Sequence, residues 1–123
     1  MVRKSILFVL ICCILVSCSN SRLKYPTEKD TVDYFGDGTF QLLGGYDSSG
    51  KETLTLFDMS KPAVEDVVAN NVVEYVKKKK FVYFFDDKKR YILLDVKTND
   101  LSISTDLSSF SSDKQQIFKR LNK

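Results

Sequence analysis

From Phe81 to Ser104 the chain offers three β-prone runs, parted by turns too short for anything but antiparallel neighbours. Phe81-Val82-Tyr83-Phe84-Phe85 is followed by a polar turn over Asp86 to Lys89, then by the run Tyr91 to Val96. Thr98-Asn99-Asp100 turns the chain into Leu101-Ser102-Ile103-Ser104, which alternates cleanly. Upstream, Thr39 to Leu43 reads as a strand with Phe40 and Leu42 on one face. Gly44-Gly45 and Asp47 to Gly50 punctuate, and Glu52 to Asp58 alternates polar and apolar, completing a β-hairpin. Ser60 to Val76 supports two readings. Ser60, Pro62, Glu65 and Asp66 suit a helix start, and Val64, Val68, Val72 and Val76 share one helical face. Six valines and Asn70-Asn71 oppose a long helix. A short helical or turn-like opening through about Ala69, then a strand from Val72 to Lys77, is expected. Ser112 to Leu121 predicts a terminal helix: Ser112 and Gln115 form a capping box, and Ile117, Phe118 and Leu121 form an apolar stripe. The fold class is therefore α+β, an antiparallel β-meander sheet of about five to six strands with a C-terminal helix over part of one face.

Composition enters as a filter. A chain of 123 residues holds one ordinary domain, and a hydrophobic share of 43% excludes a disordered one. There is no His, which excludes imidazole-based acid–base chemistry. The first residues, MVRKSILFVLICCILVSCSN, place Arg3 and Lys4 before an apolar run from Ser5 to Val16. Twelve helical residues span roughly 18 Å, short of a hydrocarbon core of about 30 Å. The run reads as a signal-peptide core rather than a membrane-spanning helix.

Leu15-Val16-Ser17-Cys18 ends that run and resembles the lipobox of bacterial lipoproteins, with Leu at −3, a small residue at −1 and Cys at +1. Cys12 and Cys13 fit worse, because Ile11 and Cys12 precede them. The resemblance implies that residues 1–17 are removed as a lipoprotein signal peptide. Cys18 then carries diacylglyceryl and acyl (palmitate-type) chains and holds the protein on a membrane. All three cysteines are then accounted for, leaving no thiol, disulfide or Cys-based metal site in the folded part. Losing Arg3 and Lys4 brings the formal charge from +3 to +1, which gives nucleic acid no electrostatic footing. Residues 18–31 read as a lipidated tether and 32–123 as a single α+β domain, expected to be monomeric. The expected location is the bacterial cell envelope: the outer membrane facing the periplasm in a Gram-negative source, the outer face of the cell membrane in a Gram-positive one. Val72, Val73, Tyr75, Tyr91, Leu94, Asp95, Lys97 and Thr98 resemble a strand pattern of small bacterial lipoproteins without settled activity, with Asn99 in place of a turn glycine.

Motifs for chemistry are sparse. Gly45 to Lys51 approaches a phosphate-binding loop, but Glu52 stands where a Ser or Thr must hold Mg²⁺, and a strand follows instead of a helix. Asp33 to Gly38 approaches a calcium loop, but Phe35 fills a ligand place and Gly44 replaces the bidentate Glu. Asp86 and Asp87 adjoin Lys88, Lys89 and Arg90 and read as solvated turn charges. No catalytic set and no cofactor are expected.

Lys77, Lys78, Lys79 and Lys80 form the one charge run with physical force. Four adjacent ammonium groups repel, so they are expected to face solvent, solubilising a turn beside the aggregation-prone Phe81 to Phe85, or an anionic surface. The functional expectation is a lipid-anchored, non-enzymatic protein-interaction module of the envelope, with inhibitor or immunity proteins inside that class. The alternative is a binder of small ligands or glycans.

Overall fold

A computed structural model of the chain describes residues 23–121. The leader and Cys18 lie outside the described residues. The fold is α+β and consists of two four-stranded antiparallel meanders followed by one helix. The first sheet holds β1 (Thr31–Phe35), β2 (Phe40–Tyr46), β3 (Glu52–Asp58) and β4 (Val67–Ala69), in that spatial order. The second holds β5 (Val72–Lys78), β6 (Phe81–Asp86), β7 (Tyr91–Asp95) and β8 (Asp100–Ser104). A 3₁₀ turn at Leu107–Ser109 leads into helix α1 (Ser112–Leu121).

Alternation along each strand sends side chains to two cores. Phe35, Phe40, Leu42 and Leu56 of the first sheet meet Val82, Phe84, Ile92 and Leu94 of the second, with Ala69 and Val72 closing the layer. On the other face of the second sheet, Tyr83, Phe85 and Leu93 pack with Phe110, Phe118 and Leu121. Phe118 is the centre of that layer, with ring centroids 5.1 Å from Tyr83 and 4.9 Å from Phe110. Each such burial contributes about 1.5–3 kcal/mol before the entropy of ordering is subtracted. The second sheet is thus covered on both faces, and for that reason the run Phe81 to Phe85 is apolar throughout.

The second meander repeats the first. Counted from the hairpin turn, Gly44 pairs with Leu54 across β2 and β3 as Tyr83 pairs with Leu93 across β6 and β7, and Leu42–Leu56 lies one same-face rung further on. The next rung away from that turn is Leu43–Thr55 in one and Val82–Leu94 in the other. The turns match too. Asp47 accepts from the N–H groups of Ser49 and Lys51 with Gly50 at φ 84°, and Asp86 accepts from those of Lys88 and Arg90 with Lys89 at φ 60°. Leu42 and Leu56 face the second sheet, while Tyr83 and Leu93 face the helix. The two sheets therefore stack in the same sense, and α1 lies where a further sheet would follow.

The one meander sheet of about five to six strands expected from sequence is two sheets of four, and local readings are refined. Of the two openings expected for Ser60 to Ala69, the turn-like one is found, and the segment also holds the short β4. The Asp58 carboxylate captures the Ser60 N–H at 3.0 Å, and the Asp58 N–H donates to Asp66 O at 2.7 Å, folding the segment back on β3. The α1 cap shifts by one residue. Gln115 donates its backbone N–H to Ser111 O, and its side chain reaches back to Phe110 O at 2.7 Å, so Ser112 lies inside the helix. Thr31 to Phe35, placed between tether and turn by the sequence, is an edge strand whose Val32 and Tyr34 face outward.

Candidate functional site

The strand connections divide the domain into two ends. At the near end lie the β1–β2 turn, the β5–β6 turn with Lys79 and Lys80, and the β7–β8 turn from Val96 to Asn99. Thr39 Oγ1 accepts from the Asn99 side-chain amide at 3.4 Å, which ties two of these turns together. At the far end lie the β2–β3 and β6–β7 turns and the Asn70-Asn71 link between sheets.

Residues before β1 run along the first sheet. Lys24 donates its N–H to Asp37 O at 2.8 Å, and the buried Gln41 side chain donates to Tyr25 O at 3.1 Å. Gly44 N–H donates to Asp30 O at 2.9 Å. The segment from Lys24 to Asp30 thus travels from the near end to the far end before β1 returns. Gly38 makes this possible: at φ 88°, any Cβ there would collide with the Tyr25 carbonyl oxygen.

The lysine run does not act as one block. Lys77 points toward the first sheet, where its Nζ donates to Asp33 Oδ1 at 2.9 Å and lies 5.2 Å from the Phe35 ring centroid. Tyr75 Oη donates to the other Asp33 oxygen at 2.9 Å. Burial works against the Asp33 charge, but these two donors and the Tyr34 N–H outweigh it and lower its pKa. Burial and the Asp33 charge raise the Tyr75 pKa. Lys80 pairs with Asp95 at 3.3 Å and lies 5.0 Å from the Phe81 ring. Two of the four ammonium groups thus find their anionic partner within the domain, as carboxylates of Asp33 and Asp95.

Lys78, Lys79 and Lys80 instead join Lys97 and Lys114 around a groove of about 820 Å³ floored by Phe81, Tyr83 and Ile117. Lys114 reaches it from the first turn of α1, with Nζ 4.4 Å from the Phe81 centroid. One carboxylate, Asp113, lines the same groove. Among the described residues, Lys78, Lys79, Lys97 and Lys114 have no carboxylate within 4.0 Å. Sequence reading missed Lys97 and Lys114. The signal for Lys97 was available, since the β5–β6 and β7–β8 turns of one meander must share an end.

The far end carries a different surface. Between the two sheets a cleft of about 670 Å³ opens, lined by Val32, Leu54, Tyr46 and Val73 with Asn71 and Lys51 at its margins. Val32 is 57% exposed, Val73 59% and Tyr46 73%, so three large apolar side chains rim one opening. Val32 and Val73 each sit where the pairing of an edge strand slips, in β1 and β5 respectively, and the slip turns them out of register.

The other sequence candidates resolve into structural roles. Asp47 is a turn carboxylate, with a pKa lowered mainly by the Ser49 hydroxyl. Asp37 binds the Thr39 hydroxyl, which lowers its pKa, while Asp33 points to Tyr75 and Lys77, so the two do not converge as calcium ligands. Asp86 departs most from expectation. It is 1% exposed rather than solvated, its Oδ2 accepting from Arg90 Nε and Nη2, each at 2.7 Å. Arg90 also donates to Val68 O at 3.1 Å, which stitches the second meander to β4 of the first. No described helix is long and apolar enough to cross a membrane. No protein-family model, curated protein or solved structure matches the chain.

Proposed function

We propose that the protein is a lipid-anchored lipoprotein of the bacterial envelope that acts as a non-enzymatic interaction module and holds an envelope protein partner at its far end. The observation that carries this reading is the cluster of exposed Val32, Tyr46 and Val73 around the far-end cleft. Apolar side chains gathered at one opening, with aromatic and polar margins, have the make-up of the core of a recognition surface. The tether enters at the opposite end, so an anchor on Cys18 leaves this surface facing away from the bilayer.

A photo-crosslinking residue at Tyr46, introduced into the full-length protein in its own membranes, tests the reading. A discrete adduct that disappears when Val73→Asp is added supports it. A Tyr46 probe that gives no adduct, or one indifferent to Val73→Asp, refutes it. The cleft volume also lies in the range of small-ligand sites, which keeps a glycan or small ligand as the second reading. A thermal shift with envelope glycans that Val73→Asp abolishes would favour that second reading.

A further inference from the structure

We infer that the near end is a membrane-docking face: Lys78, Lys79, Lys97 and Lys114, set around Phe81, rest on the anionic headgroups of the bilayer that carries the protein. The inference rests on lipidation of Cys18. Two independent observations meet here.

The first is where the chain enters. Lys24 is hydrogen-bonded to Asp37 in the β1–β2 turn, so the described chain begins at the near end. Cys18 lies five residues before Leu23, and five residues reach at most about 17 Å. An anchor on so short a lead keeps the near end at the headgroup layer whatever path the lead takes.

The second is the charge at that end. Four lysines without carboxylate partners come from three separate segments, the β5–β6 turn, the β7–β8 turn and the first turn of α1. Bringing like charges together costs energy unless an anion faces them, and among the described residues Asp113 is the only carboxylate lining the groove. Long lysine stems around a half-buried phenyl ring match the chemistry of a bilayer interface, where the ring meets the acyl boundary and the ammonium groups meet phosphate. Lys77 takes no part, because Asp33 holds it toward the first sheet.

The test uses the mature chain, residues 18–123, whose single thiol at Cys18 is coupled to a maleimide lipid in preformed vesicles. Lysine reactivity is read by pulse acetylation and mass spectrometry, with phosphatidylglycerol vesicles against phosphatidylcholine ones. Lys78, Lys79, Lys97 and Lys114 should react at least fivefold more slowly on the anionic vesicles, while Lys29, Lys51 and Lys88 at the far end should not change. Salt of 0.5 M should erase the difference. In uncoupled protein, Lys97→Gln with Lys114→Gln should weaken vesicle binding by about 25-fold, at roughly fivefold for each lysine near an anionic surface. Equal reactivity on both vesicles, or protection of the far-end lysines, overturns the inference. So does tighter binding to a soluble polyuronate than to the anionic vesicles, which would make the groove a glycan site. Because the coupling is chemical, these outcomes do not depend on lipidation in the cell. That reading fails separately, if the full-length protein takes up no fatty-acid label.

Discussion

Replacing Arg90 by Met isolates the most deeply buried charge pair among the described residues. Arg90 gives two donors to Asp86 Oδ2 at 2.7 Å, and Asp86 is almost wholly enclosed. At an effective dielectric of about 20, charges at that distance attract by about 6 kcal/mol, against a desolvation cost of several kcal/mol for each ion. The intact pair therefore adds little net stability. Arg90→Met strands the carboxylate, and losing one partner of a fully buried pair costs about 3–5 kcal/mol. Two facts reduce the figure here: the Arg90 side chain is 26% exposed, and Asp86 keeps the Lys88 and Arg90 N–H groups. Loss of the bond to Val68 O acts in the other direction. The expected cost is about 2–4 kcal/mol, a large part of the roughly 5–10 kcal/mol typical of a domain this size. Urea unfolding followed by far-ultraviolet circular dichroism should show a midpoint lower by roughly 1.3–2.7 M for a slope near 1.5 kcal/mol/M. Asp86→Asn removes the stranded charge, so the double variant should recover about 1–3 kcal/mol relative to additivity. Additive single effects, or a cost below about 0.5 kcal/mol for Arg90→Met, would refute the buried-pair reasoning.

Phe84→Ala, at a fully buried position between the sheets, should cost about 3–5 kcal/mol by the same urea assay. Asp33 has a folded pKa below its unfolded value of 3.8, so its stabilising contribution is full above that value and lost as pH falls through the folded pKa. Stability measured from pH 5 to pH 2 should therefore fall less steeply in Asp33→Asn than in the wild type. Cys18→Ser should abolish labelling by a fatty-acid analogue and leave an unprocessed precursor, whereas Cys12→Ala with Cys13→Ala should do neither. Gly38→Ala should free the segment from Lys24 to Asp30 from the first sheet, seen as faster hydrogen exchange at the Lys24 amide with the second sheet unchanged.

Much of the second sheet was legible because its central strands β6 and β7 are buried on both faces and its turns are short. Phe81 to Phe85 is apolar at every position, and both the Val82 and Phe84 face and the Tyr83 and Phe85 face are covered. The first sheet was less legible, because its edges break the pattern. β1 carries Val32 and Tyr34 outward and Asp33 inward, the reverse of a half-buried strand, since Asp33 answers Lys77 and Tyr75 across the sheets. β4 is three residues long inside a valine-rich stretch that satisfies two periodicities at once. The repeat would have helped: Asp47-Ser48-Ser49-Gly50-Lys51 and Asp86-Asp87-Lys88-Lys89-Arg90 adopt one turn, but a left-handed residue that is Gly in one and Lys in the other hides the likeness.

The candidate surfaces depend on a parity that only the missed elements reveal. In an antiparallel meander each added strand moves the chain to the opposite end. With β1 present, the four odd-numbered turns, including the lysine turn, fall at the near end, and the hairpin tips beside the cleft fall at the far end. Had residues 18–31 formed an extended tether leading straight into β1, the anchor would have joined the domain at the far end and buried the cleft against the bilayer. Residues 24–30 reverse this by running back along the first sheet from Asp37 to Gly44. Seven residues with little pattern therefore set the end of the domain at which the described chain begins, and with it the end that the proposed anchor would hold. What holds them is the Gln41 amide, buried and bonded to Tyr25 O and Gly38 O, a polar group that strand periodicity alone marks only as an outward-facing side chain. Under the proposed anchor on Cys18, orientation on a membrane would follow from one buried glutamine and one glycine rather than from the charges at the near end.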